Sequence, residues 1–114
     1  MVDWVKDLVE ELDKLGSDCA HKEAAFKALD DSKKSVLAKI KLTFVGKIKS
    51  DAGQETEARA SQEFKEHLKL MCDAREAAYL ARVKYDTQDM FCRLRQTQAS
   101  MKKAELNSQM AHGA

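Results

Sequence analysis

Proline is absent from this chain of 114 residues, and glycine occurs only at Gly16, Gly46, Gly53 and Gly113. With so few backbone breakers, folds built from many short elements joined by tight turns are excluded. Aromatic residues make up only 6%, a profile of helical bundles and coiled coils, and a rod-like fold would give a core that is long and thin. No apolar run is long enough to cross a bilayer, which excludes a membrane-spanning helix. The opening Met1-Val2-Asp3-Trp4 lacks the basic start and apolar core of a secretion signal. The three cysteines (Cys19, Cys72, Cys92) leave one over from any pairing, and none stands in a C-x-x-C. Reduced thiols and a cytoplasmic location are therefore expected. Neither a G-x-S-x-G nucleophile motif nor a G-x-x-x-x-G-K phosphate loop is present. An enzyme, a cofactor and a small-molecule substrate are accordingly not expected, and no catalytic residue is assigned.

What the chain does have is charge, 34% of its residues, and a regular stripe. Every seventh residue from Phe64 onward is uncharged: Phe64, Met71, Ala78, Tyr85, Cys92, Ala99, Leu106. A strict seven-residue repeat keeps one face of a helix against a partner helix. At roughly 1.5 Å per residue this stripe implies a rod about 65 Å long. Its seam must be covered by an antiparallel arm of the same chain, by another copy or by a different protein. Among the companion positions, Ala74, Ala77 and Ala81 join Ala78 in a small-residue patch that allows two helix backbones to approach. His67, Gln88, Arg95 and Lys102 make the seam more polar, increasingly so toward its C-terminal half. That half is expected to be the docking surface for something outside the chain.

The expected fold is all-α: a short N-terminal helix and a long, coiled-coil-like antiparallel hairpin forming a single domain over 1–114. The first helix spans about 3–15, with Val5, Leu8, Leu12 and Leu15 at helical spacing and Gly16 placed as its C-terminal stop. The second spans about 18–48 through Phe26, Leu29, Val36, Ile40 and Phe44. Its stretch Lys39-Ile40-Lys41-Leu42-Thr43-Phe44 alternates as a strand would, but no second strand candidate exists to pair with it. A turn over about 49–54 leads to a long helix over about 55–108, with Ser61 as an N-cap candidate and a frayed tail from Met110. Self-association along the Phe64–Leu106 stripe is expected, so that a charge placed at Met71 or Tyr85 disrupts the assembly or the fold.

Charge is unevenly distributed. Residues 1–31 carry nine acids and four bases, whereas 32–50 carry six lysines (Lys33, Lys34, Lys39, Lys41, Lys47, Lys49) and no acid. Residues 51–76 are net acidic and 77–106 net basic. In an antiparallel hairpin the lysine block lies near the acidic start of the long helix, and such complementarity fixes register. The alternative is a phosphate-binding surface, made of that block or of Arg82, Arg93 and Arg95 with interleaved aromatics. Against it, the chain is neutral overall rather than basic. Metal ligands are not expected: Glu63 and Glu66 miss the Glu-x-x-His spacing to His67, and Cys19 with His21 lacks a second pair. Among the thiols, Cys19 is expected to react first, Cys72 next and Cys92 slowest.

The segment Arg82-Val83-Lys84-Tyr85 through Phe91, Arg93-Leu94-Arg95 and Gln98-Ala99-Ser100, with Ala60-Ser61-Gln62-Glu63-Phe64 upstream, resembles small helical-hairpin proteins of bacteriophages and prophages. The likeness covers the C-terminal half. It departs at Cys92, where that group often has Trp before Arg, and in the extra N-terminal helix with Trp4. The resemblance implies an accessory factor that works by binding, some members lying among recombination or replication genes. The leading expectation is a helical protein–protein interaction module; a nucleic-acid-binding accessory factor in recombination, replication or packaging is the alternative.

Overall fold

The computed structural model describes residues 3–113 and consists of helix α1 (Asp3–Leu42), helix α2 (Asp51–Ala60) and helix α3 (Gln62–Gly113). α1 and α3 pack side by side as the arms of a rod measuring 92 × 23 × 15 Å. The architecture is all-α, elongated and hairpin-like, with the turn and α2 at its closed end.

One helix occupies the place of the two expected before the turn. Gly16 does not stop α1: no described glycine has a positive φ, so the left-handed cap that glycine favours is not formed. A helix-interior glycine costs only about 1 kcal/mol, and here it makes room. A Cβ on Gly16 would lie 3.1 Å from the Tyr85 ring. With α1 unbroken, Val5, Leu12, Cys19, Phe26, Lys33 and Ile40 fall every seventh residue, and Leu8, Leu15, Lys22, Leu29 and Val36 fall three later. All of them are buried or half-buried. On α3 the same holds for Phe64, Met71, Ala78, Tyr85 and Cys92, and for His67, Ala74, Ala81 and Gln88. Two helices with one 3.5-residue seam each meet along a common line.

Four cross-arm contacts fix the antiparallel register. Gly16 meets Tyr85, Arg82 donates from Nε (3.0 Å) and Nη2 (2.7 Å) to Glu23 Oε1, His67 Nε2 lies 3.1 Å from the Leu29 carbonyl, and the Arg95 guanidinium stacks 5.2 Å from the Trp4 ring. Because a carbonyl only accepts, Nε2 of His67 carries the proton in that bond. Ser32 Oγ donates to the same carbonyl at 2.9 Å.

α1 ends earlier than the expected position near residue 48. From Ile40 the backbone bonds tighten to i→i−3, through Thr43 N to Ile40 O and Phe44 N to Lys41 O at 3.0 Å each. The Thr43 hydroxyl also donates to the Ile40 carbonyl at 2.6 Å, a local alternative to the helix ladder. Ser50 then caps α2, its Oγ accepting from Gly53 N. Glycine fits closely there: a Cβ would fall 2.7 Å from that Oγ and 2.8 Å from Ile48 Cγ2, so the cap or the Ile48 side chain would have to shift. Lys41 Nζ, 2.6 Å from Asp51 Oδ1, ties the lysine-rich end of α1 to the acidic start of α2.

The helix expected over 55–108 is two helices broken at Ser61, which takes up an extended backbone. Its hydroxyl donates to the Ala58 carbonyl at 2.6 Å and accepts from Phe64 N at 3.2 Å, so it closes α2 and caps α3. The break lets Ala58 and Phe64 both bury against Ile40, with Val36, Leu37, Phe44 and Leu68 around them. At the other end, α3 runs through the tail expected to fray and stops at Gly113; Ala114 lies outside the described residues.

The Gly16–Tyr85 fit gives a coupled expectation. Gly16→Ala gains about 1 kcal/mol of helix propensity but loses most of it to the ring. In a Tyr85→Ala background the ring is gone and the full gain of about 1 kcal/mol returns. Urea denaturation of the two single variants and the double variant measures this coupling; additive effects would mean that Tyr85 does not occupy the Gly16 notch.

Candidate functional site

The Phe64–Leu106 stripe divides in two. Phe64, Met71, Ala78, Tyr85 and Cys92 face α1, whereas Ala99 and Leu106 lie beyond its end and are exposed. α3 has 52 residues and α1 has 40, so α3 overhangs, and every residue from Arg93 to Ala111 is exposed. Trp4 marks the edge. The residue is 43% exposed, and its ring packs under Arg95, whose guanidinium also lies 5.7 Å from the Phe91 ring. The hollow among Trp4, Leu8, Cys92 and Arg95 measures only about 70 Å³, well below the roughly 300 Å³ at which ligand pockets begin.

A second stripe runs along α3 on the side away from α1. Leu80, Val83, Thr87, Met90, Leu94, Thr97, Met101, Ala104, Ser108 and Ala111 follow one another at alternating spacings of three and four, and none is charged. All are exposed, with Met90 at 64% and Met101 at 61%. At about 100° per residue their centre lies roughly 150° around the helix from the inner seam. Sequence reasoning placed the docking surface in this half of the helix but read only the inner repeat. The signal for the outer one was present in the same 3–4 spacing, two residues out of phase.

The basic candidates lie in two places, the lysines in and after the C-terminal part of α1 and Arg82, Arg93 and Arg95 on α3. Lys33 sits half-buried on the seam face of α1, while Lys34, Lys39, Lys47 and Lys49 are exposed toward the closed end. Lys41 pairs with Asp51. Arg82 is committed to Glu23 across the arms, and Arg93 Nε lies 3.1 Å from Asp89 Oδ2 on its own helix. The Glu23 carboxyl is held below its usual range, first by Arg82 and then by the Cys19 thiol. Among the described residues, no group of three or more His, Cys, Asp or Glu is arranged to hold a metal ion, and no helix is long and apolar enough to cross a membrane.

The thiol environments differ from the expected order. Cys19 is not near a helix start: it occupies a seam position in the middle of α1, 2% exposed, and its Sγ donates to Glu23 Oε1 at 3.4 Å. Burial first, and then that hydrogen bond, push its pKa up. Cys72 is exposed and Cys92 half-buried. Labelling by a thiol reagent should therefore be fastest at Cys72, slower at Cys92 and slowest at Cys19. Peptide-resolved mass spectrometry of the native protein measures the order, and rapid labelling of Cys19 would contradict its place in the seam. Comparison with protein-family models, with curated proteins and with solved structures finds no match to this chain.

Proposed function

We propose that this protein is a non-enzymatic interaction module that docks through the outer face of α3, binding and modulating another protein. The observation carrying this reading is the uncharged stripe from Leu80 to Ala111, exposed along its whole length. Large apolar residues grouped on one exposed face, here Leu80, Val83, Met90, Leu94 and Met101, mark interaction sites, and anchors at i, i+3, i+4 and i+7 are those by which one helix engages another. A phage or prophage accessory factor acting on a host or phage protein, which the sequence resemblance implies, is part of this proposal. The seven-residue period favours a helical partner, because such a stripe stays aligned with a second supercoiling helix.

The experiment is capture from lysate with the wild-type chain, with Leu94→Glu and with a variant replacing Lys34, Lys39, Lys47 and Lys49 by Gln, each with and without nuclease. The expected result is a protein retained after nuclease, lost with Leu94→Glu and kept by the lysine variant, with helicity by circular dichroism unchanged throughout. Capture that nuclease abolishes and that depends on the four lysines would support the nucleic-acid-binding alternative instead.

A further inference from the structure

Past the Arg95–Trp4 stack, α3 runs beyond the end of α1 with no helix beside it. Among the described residues no ion pair lies past Arg93, and most helical stability in proteins comes from packing a face against a neighbour. A cover would therefore stabilise the overhang. Its outer stripe is continuous with the part of the stripe that runs along the hairpin body, and both share the 3.5-residue period that suits another helix.

We propose that the cover is a second copy of the same chain, its α3 running antiparallel to the first about a two-fold axis near Arg95 and Gln96. This rests on the reading of the outer stripe as a docking surface and adds its occupant in the absence of a heterologous partner, which would compete with the second copy for the same face. In this register Leu80 of one copy faces Ala111 of the other, and all ten positions of the stripe are covered on both helices. The flanking residues then match. Lys84 of each copy comes opposite Glu105 of the other, Asp86 opposite Asn107, and Arg93 opposite Ser100, giving two opposite-charge pairs and no like-charge contact. Both Lys84 and Glu105 are exposed and outside any described ion pair.

Other arrangements fit less well. Sliding the antiparallel helices by one heptad so that Leu80 faces Ala104 sets Arg93 against Arg93, and the opposite slide loses both Lys84–Glu105 pairs and leaves Leu80 and Val83 bare. A second heptad in the first direction pairs Asp86 with Arg93 but leaves the stripe past Thr97 bare. A parallel pair sets Asp86 against Phe91 and Ser100 against Glu105, with no opposite charges meeting. Charge at flanking positions is what selects orientation in coiled coils. Because α1 lies on the far side of each α3, it does not obstruct the pairing. The two hairpins overlap through their open ends, and the assembly is longer than either rod.

Sedimentation equilibrium should return a dimer at micromolar concentration. Small-angle scattering should give a longest dimension on the order of 130 Å from the rise per residue, against 92 Å for one rod. Lys84→Glu or Glu105→Lys alone should weaken the dimer roughly tenfold by turning two attractions into repulsions. The double variant should return to within about twofold of wild type, because the exchange restores both pairs. A monomer persisting at several hundred micromolar overturns the proposal, as does a double variant no tighter than the singles. Leu94→Glu should weaken self-association and any heterologous capture alike, whereas the charge exchange acts on the dimer alone. Capture that depends on Leu94 in a chain that remains monomeric would remove the second copy as occupant while keeping the docking surface.

Discussion

The shared 3.5-residue seam between α1 and α3 is the constraint on which the rest of the molecule depends. A seam of this period forces the arms to lie along each other, and their antiparallel sense sets which charges meet. The acidic first part of α1 runs beside the basic part of α3, and the lysine-rich end of α1 meets the acidic stretch after the turn. Because α3 is the longer arm, the same constraint produces the overhang. Holding one face of α3 to α1 also determines which face is left outward, and that face is the uncharged outer stripe.

The seam is not a strong hydrophobic core. Few side chains are fully buried, and alanines stand at several of the tightest positions. Lys22, Lys33, His67 and Gln88 occupy seam places that apolar residues would fill in a more stable coiled coil. Such residues bury their stems and keep their polar ends hydrated or bonded, and polar groups at seam positions discriminate against slipped registers. His67 bonded to the Leu29 carbonyl and Glu23 bonded to Arg82 each reach a specific partner, as does Tyr85 seated over Gly16. A one-heptad slip would lose all of these contacts together. Specificity here comes from a few particular contacts laid over a modest apolar seam.

Much of this was legible in the sequence. The absence of proline and the Phe64 repeat together required long helices. The opposed charge blocks implied an antiparallel pairing, and Ser61 was recognisable as a cap. Gly16 was misread as a stop because glycine after a periodic run is a common helix end; the unbroken repeat from Val5 through Cys19 to Ile40 was the competing signal. Cys19 was misplaced by the same step, since a helix ending at Gly16 puts it near a start rather than in the seam. The break at Ser61 depends on Ala58 and Phe64 sharing Ile40, a tertiary contact that no local pattern announces. The outer stripe was overlooked because one repeat already explained the helix, and threonine, serine and alanine blur the second.

Amide hydrogen exchange along α3, followed at low and high protein concentration, tests the two-seam account most directly. The account predicts strong protection over 64–92 at every concentration, because α1 covers that stretch within one chain. Over 97–111 it predicts weak protection in dilute solution that rises steeply with concentration, as a second helix covers the overhang. Rapid exchange over 97–111 at high concentration, or weak protection over 64–92 in dilute solution, would contradict it.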